Sequence, residues 1–537
     1  MLILFTMKKQ ILSNLSSNYI SKILSIGLAF FIVPFLTRKL NKEVYGITVL
    51  AESTILFFYV ISNSLKVALT RFSTYALSEG KKQDFVSYLS SGRFLLIAGS
   101  AIVLILGGLM SYFYPHAIKI NPIYLNETKI LFFIVVAGFA ITIPNTVFAS
   151  VIYAQQRPDL VNMSMTFSAI LRAALIFFVY SVFPTKSMLP YGWIYLISNF
   201  AQNLFVFIIS RKLMPDLHIS LSLFDKKKAS EILGFSLHTS ISHLSELLYD
   251  NTALIIIGFL WGPVWVAIYA ISIRMAMTMK RLFMEAAWTL IPTFIDLAAK
   301  KDFRRMEHLF IFYTKIMSIV NTPLCLVLIV MAKPLILLWV GKEFIMSAYL
   351  IPIHIIPLFM AIPFAVCSCI TYAYAKVKIP SFVSLGVAVL NIFTGILFGV
   401  VFSWGLYGIA AGAALSSVIY LTAFFPYYAC KVSGISITKY IYHSFIKPFA
   451  LACAVMGAGF CLTNYFKMEL NISLRTLSIL TGLFSVYAVL AFVFVLDNFD
   501  RKNISEVMKM FFPKGRKQPL DIKTAEVLEA IAAEIEV

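Results

Sequence analysis

The feature that most narrows the fold is the length of the apolar runs. Uninterrupted stretches of about 20 apolar residues recur from one end of the 537-residue chain to the other. At about 1.5 Å per residue, such a run crosses the roughly 30 Å hydrocarbon core of a bilayer as a helix. Inside lipid the backbone must satisfy its own hydrogen bonds, which leaves helices or closed barrels. These runs are continuously apolar rather than alternating, so a barrel is excluded. An all-α polytopic membrane protein follows, with about 14 transmembrane helices at approximately 11–36, 44–65, 93–114, 128–154, 159–183, 189–211, 231–260, 263–290, 307–332, 347–375, 380–403, 405–430, 443–465 and 474–496. The first run, Ile11 to Leu36, is too long for the core of a signal peptide and lacks a clear cleavage site; it reads as a retained span.

The formal net charge of +20 raises nucleic acid as a partner, and the distribution of that charge excludes it. With the N-terminus placed inside, 29 of the 45 Lys and Arg fall in inner segments and only 10 in outer loops. That bias puts both termini in the cytoplasm and turns the basic surface toward anionic headgroups. No outer loop exceeds about a dozen residues, which leaves no room there for a catalytic domain. Inside, the connection Lys66–Gly92 has apolar residues at helical spacing and is expected to lie along the membrane surface. The polar tail ends in "TAEVLEAIAAEIEV", a short amphipathic acidic helix by pattern.

Two faint repeats share an order. "PFLTRKLNKEVYGI" and "GFLWGPVWVAIYAI" align at an offset of 224, so that Tyr45 meets Tyr269 and Lys22 meets Glu246. "YAQQR" and "YAYAK" align at 219. Spans 1–6 and 7–12 are therefore expected to be parallel repeats, with substrate held between them. The corresponding units are a six-helix bundle over 1–211, a cytoplasmic linker over 212–230, a second six-helix bundle over 231–430, spans 13 and 14 over 431–497, and a tail over 498–537.

A charge at the bilayer centre costs between about 3 and more than 10 kcal/mol, so deep ionic residues face a cavity or a partner. Lys22, Arg172 and Arg274 fall near the midplane by residue count and suit an anionic head group, the guanidinium fork matching phosphate oxygens. Structural ion pairs are the competing reading. Lys280, Arg281 and Lys315 lie nearer the cytoplasmic side, where they can snorkel to the interface. In "SLHTSISHLSELLYDN", His238, Ser242, Glu246 and Asp250 recur every four residues and share one helix face. That stripe reads as a cavity wall in which Glu246, Asp250 and His238 couple transport to an ion, with Lys22 or Arg274 beside the acid. A permanent ion pair between the two halves reads equally well. Isolated His354 reads as a satisfied core histidine. Span 10, with three prolines in "IPIHIIPLFMAIP", is the one expected to bend most. The six cysteines lie in apolar runs or at their ends and read as small core side chains. No metal-ligand spacing, P-loop, HExxH or GxSxG occurs, so no metal, cofactor or enzymatic activity is expected.

Span 1 ends in "FIVPFLTRKLNKEVYGITVL", which resembles the opening of the polysaccharide-biosynthesis and O-antigen flippases of the multidrug/oligosaccharidyl-lipid/polysaccharide exporter superfamily: Leu-x-Arg-x-Leu, then Tyr-Gly, here Leu36, Arg38, Leu40, Tyr45 and Gly46. "YDNTALIIIGFLWGPVWVAIYAISIR" is similar to the second-half counterpart, with Asp250 opening the run and Tyr269 closing it; Asn251 stands where members often have Arg. Asn391, Gly405, Gly408, Ala410, Ala411 and Gly412 resemble the late Asn and Gly-x-x-Gly-Ala-Ala segment. The resemblance implies two pseudo-symmetric bundles in a V around a cationic cavity, in a bacterial inner membrane. The implied cargo is an undecaprenyl-diphosphate-linked oligosaccharide, an O-antigen or capsule repeat unit. It would be moved to the periplasmic leaflet by alternating access coupled to an ion gradient, with polymerase and other assembly proteins as partners. A multidrug cation antiporter and a membrane-embedded glycosyl or acyl transferase are the alternatives; the short outer loops disfavour the transferase, and the excess of deep cations disfavours the antiporter.

Overall fold

The computed structural model describes residues 2–465 and 474–511; the side chains of residues 2–20, 238, 242, 246, 462–465, 474, 475, 477 and 505–511 lie outside that description. The acidic C-terminal pattern therefore falls outside the described residues. All the regular structure described is helical. Twelve helices are long and apolar enough to cross a bilayer, and two bent helix pairs bring the number to 14. They are α1 Leu2–Lys39, α2 Lys42–Ser78, α3 Lys82–Ala117, α4 Leu125–Thr142 continued by Thr146–Ala154, α5 Pro158–Val182, α6 Leu189–Leu213, α7 Lys226–Trp261 and α8 Pro263–Trp288 continued by Ile291–Ala299. Then come α9 Phe303–Val330, α10 from Ile345–Ile355 to Cys367–Ala373, α11 Lys378–Ile396, α12 Gly405–Ile419 carried on to Phe425–Ser433, α13 Ile437–Ile441 carried on to Lys447–Tyr465, and α14 Leu474–Phe494. A final helix, α15, spans Asn498–Phe511. Each expected span has its helix.

The pairing of helices repeats. In the first bundle α1 packs on α5, α4 on α6, α5 on α6, α2 on α4 and α3 on α4. Six helices later the same pairs recur: α7 on α11, α10 on α12, α11 on α12, α8 on α10 and α9 on α10. Between the bundles, α2 lies along α7 and α8. α13 attaches to the second bundle through α9, and α14 packs on α13.

Local chemistry sets the breaks. Asn41 caps α2 by accepting from the Val44 N–H at 2.8 Å, and Asp225 caps α7 by accepting from Lys227 and Lys228. α7 ends at Gly262, whose φ of +93° is open to glycine, and Pro263 starts α8 at once. Pro144 sits at the break in α4, and Pro352, Pro357 and Pro363 break α10, which bends by 42°. α7 bends further, by 53° between Ser245 and Leu247, with no proline to announce it. Its serines and threonines bond back to its own carbonyls instead: Ser240 to Ser236, Thr239 to Ser236 and Ser245 to Ile241. Such back-bonding bends helices.

Two expectations are corrected. The segment 66–92 is not a separate surface helix: α2 and α3 run on to a tight turn at Gly80, φ +74°. The apolar spacing there serves helix–helix packing, with Leu69 against Gly92; periodicity alone does not distinguish the two. Lys315 of α9 does not snorkel. Its side chain is 3% exposed and pairs with Asp500, itself buried, and at 3.4 Å with Asp497. Those acids cap α15 reciprocally, Asp497 accepting from the Asp500 N–H and Asp500 from the Asp497 N–H. Asp500→Ala is expected to lower stability in detergent by about 3 kcal/mol, the usual cost of stripping a buried charge of its partner. Lys315→Met/Asp500→Leu, which removes both charges, is expected to recover most of that loss in the same thermal unfolding measurement.

Candidate functional site

The deep ionic side chains sort into a site between the bundles and a second inside the α7–α12 bundle. Between the bundles, Lys22 of α1 forms an ion pair with Glu285 of α8, and Arg274 of α8 lies 3.8 Å from Glu52 of α2. Both pairs cross from one bundle to the other. Their side chains stay 30–41% exposed, so this is a wet cleft and not a packed core. The Tyr191 hydroxyl of α6 donates to the free oxygen of Glu52. Arg172 of α5 donates to Ser198 at 3.2 Å and Asn199 at 3.3 Å, and lies over the Tyr195 ring. The charges of Glu52, Arg172 and Arg274 all act on Tyr191. Among the described side chains, three cations thus face two acids.

Counting along the helices separates these groups by depth. Glu52 and Arg274 both sit about 16 Å from the helix ends that join at Pro263. Glu285 is about 33 Å along α8 from that same end. Lys22 therefore belongs to a second tier, nearer the basic end where the turns around Lys81, Arg157 and Lys300 lie, and not level with Arg172 and Arg274 as its place in the run suggests.

The two ends of the cleft are joined differently. At the end opposite the basic turns, the contact is backbone to backbone. A Cβ on Gly46 would stand 1.9 Å from the Pro263 carbonyl oxygen, and one on Gly262 would stand 2.7 Å from that of Lys119. Gly258 admits Leu50, and Trp339 donates to the Phe30 carbonyl at 2.8 Å. So Gly46 of the family motif is a packing residue, Tyr45 is buried beside it, and Arg38 is exposed at the end of α1. At the basic end polar and charged side chains make the contacts: Lys22 with Glu285, Tyr88 donating to Glu231 at 2.6 Å, Lys228 with Asp84 at 2.6 Å, and Ser91 accepting from the Asp225 N–H at 2.9 Å. Charged side chains separate into water at modest cost; interlocked glycines do not.

Inside the second bundle, α7, α8, α10, α11 and α12 enclose a cavity of about 360 Å³. Its polar lining is Asp250, Lys280, Tyr249, Tyr269, His354 and Asn391. Lys280 Nζ donates to Asp250 at 3.2 Å and lies over the Tyr249 ring. Asn391 donates to the Tyr249 carbonyl at 3.3 Å, and the Tyr249 hydroxyl is hydrogen-bonded to Ser417. His354 stacks edge-on against Tyr269, and its Nε2 and the Tyr269 hydroxyl are buried without a hydrogen-bond partner.

Several expectations change here. The partner of Asp250 is Lys280, not Lys22 or Arg274. Folding α7 back on α8 about Gly262 sets 250 level with 274. Lys280 lies six residues further along, where the helical repeat has turned the side chain from the α2 side to the α7 side. That pairing holds Lys280 in the cavity, so it does not snorkel. His243 turns the other way and meets Asn63 of α2 at 3.1 Å. His238, Ser242 and Glu246 lie outside the described residues. His354 is buried but not satisfied. Glu52 and Glu285, acids inside spans 2 and 8 with no role read from the sequence, join the cleft with Tyr191, which the sequence did not single out. Their signal was available: a lone acid inside an apolar run implies a cation at matching depth. Among the described residues no cluster of potential metal ligands occurs.

The fold is one of two related helical bundles with a charged cleft between them, and comparison with known proteins gives its family. Residues 11–298, more than half of the chain, match the model for "Polysaccharide biosynthesis protein", and the chain belongs to that family. A relative from Bacillus subtilis (strain 168), "Uncharacterized membrane protein EpsK", is 22% identical over 498 residues, covering 91% of this chain and 96% of the relative. Among solved structures, the inward-facing conformation of a multidrug resistance MATE family transporter of the MOP superfamily superposes with a TM-score of 0.66 at 13% identity, over 80% of this chain and 99% of the other. Lipid II flippase MurJ in an inward closed conformation gives a TM-score of 0.65 at 14% identity, over 88% and 97%. The chain shares its fold with these two solved structures.

The cross-bundle pairing is open to a charge-swap measurement. Lys22→Glu and Glu285→Lys, each placing like charges together, are each expected to lower the melting temperature; Lys22→Glu/Glu285→Lys is expected to return it to near the starting value.

Proposed function

We propose that the protein is a flippase, not an enzyme, which carries an undecaprenyl-diphosphate-linked oligosaccharide from the cytoplasmic to the outer leaflet of a bacterial inner membrane. Membership of a polysaccharide biosynthesis family supports the class of cargo. The observation that carries the reading is the pair of ion bridges that tie the bundles together across the cleft, Lys22–Glu285 and Arg274–Glu52, with Arg172 alongside. A diphosphate is a better partner for a guanidinium than a single carboxylate, because it offers more oxygens and more charge to the same fork. On entering, it takes Arg172 and Arg274 and competes with Glu52 for them. Lys22, nearer the basic end, meets the anion on the way in. Release of Glu52 and Glu285 then loosens the ties between the bundles, so cargo binding biases the alternating-access equilibrium. Among the described side chains the cleft's cations outnumber its acids by one, which supports an anionic guest over a lipophilic cation. The excess of basic residues at one end sets that end in the cytoplasm, and with it both termini. Polymerase and the other assembly proteins of the glycan are the partners this role implies.

In liposomes containing a fluorescent undecaprenyl-diphosphate sugar, Arg172→Ala and Arg274→Ala are expected to abolish transfer between leaflets at unchanged protein level. Arg→Lys at either site is expected to restore part of it, because charge returns without the fork. Full transfer by both alanine variants would overturn the assignment. In a background freed of its six cysteines, Lys119→Cys is expected to react with an impermeant thiol reagent from outside intact cells. Lys227→Cys and Lys301→Cys are expected to react only after lysis, and the opposite pattern reverses the orientation.

A further inference from the structure

The cavity inside the second bundle carries one carboxylate and one amine among its lining residues, Asp250 and Lys280. The rest of the wall is apolar or uncharged: Tyr249 and Ser245 on α7, Tyr269 on α8, His354 and Ser368 on α10, Asn391 on α11, Ser417 and Tyr420 on α12. A carboxylate set in a largely uncharged wall calls for a compensating charge close by. Three sources exist: a proton, a small cation from solution, or a fixed amine. This chain has the third. Three of the five enclosing helices are also interrupted at the cavity: α7 at its 53° bend beside Ser245, α10 at its 42° break between Ile355 and Leu358, and α12 at the π turn Tyr420–Phe424. Broken helices at mid-membrane depth are where membrane carriers hold ions, because they leave oxygens turned toward the site. Asn391, Ser417, Tyr249 and Tyr269 line the same cavity as Asp250 and carry further oxygens there. The Tyr269 hydroxyl and His354 Nε2, both at least nine-tenths buried, have no protein partner.

We propose that this cavity is a monovalent-cation site whose cation is built in: the Lys280 ammonium occupies the place that a sodium or potassium ion would otherwise take beside Asp250. The described lining of the cavity is then electrically balanced without solute, and the ion-coupling role that the sequence suggests for Asp250 lies elsewhere. Removing the amine while keeping the acid opens the site to an alkali cation. The inference concerns only the second bundle and does not depend on what the cleft carries.

The test is thermal unfolding of the purified protein in detergent, titrated from about 1 to about 300 mM NaCl or KCl against choline chloride at constant ionic strength. The unsubstituted protein is expected to show no alkali-specific shift. Lys280→Met is expected to gain a saturable rise of a few degrees, which Lys280→Met/Asp250→Asn loses. Asp250→Lys/Lys280→Asp, with the pair inverted, is expected to be indifferent again. A saturable alkali-cation shift in the unsubstituted protein that Asp250→Asn removes would overturn the proposal, as would a folded Lys280→Met variant with no shift. Should Lys280→Met not fold, Lys280→Gln takes its place under the same criteria, and the comparison of the unsubstituted protein with Asp250→Asn decides independently.

Discussion

Gly46 lying against the carbonyl of Pro263 is the contact around which the two bundles are arranged. It fixes the distance between α2 and α8 at one end, and with it the depth at which their polar residues face each other. Six residues beyond Gly46 on α2 and eleven beyond Pro263 on α8, Glu52 and Arg274 lie 3.8 Å apart. The Gly262–Pro263 joint serves the same end. The glycine takes a backbone angle closed to other residues, and the proline restarts the helix with no wasted length.

Electrostatics explains why the rest of the cleft is wet. Each of its cations has a carboxylate or amide partner, yet each keeps a third or more of its side chain accessible where the exposure is known for the pair. Charges so placed are worth little as stabilising ties, since water screens what holds them. Their value is exchangeability. The Lys315–Asp500 pair shows the contrast: both side chains are about 3% exposed, and the contact is with a terminal helix and not across the cleft.

Much of this was legible in the sequence. Fourteen apolar runs became fourteen helices because the bilayer admits few other solutions. The repeat at an offset of 224 recurs as equivalent structure: Tyr45 and Tyr269 are both buried, each with a hydroxyl that lacks a partner. The proline cluster of α10 marked its break. What stayed hidden was set by rotation about helix axes and by side-chain competition. Depth along a hairpin pairs Asp250 with Arg274, whereas facing pairs it with Lys280. The bend of α7 arises from hydroxyls bonding to carbonyls, which no residue type announces. Lys315 looked free to reach the interface because its partner lies 185 positions away, in a polar segment with no hydropathic signal.

That last pairing has a consequence for how the chain is made. Lys315 enters the membrane with α9, long before residues 497–500 have left the ribosome. Through the synthesis and insertion of five further spans, an ammonium group waits inside an apolar bundle for a counter-charge that arrives last. Neutralisation therefore reports completion: only a chain translated past α14 can quiet that charge. A product cut short before Asp497 would hold every membrane span and still display to the cell's proteases a lysine with nothing to answer it.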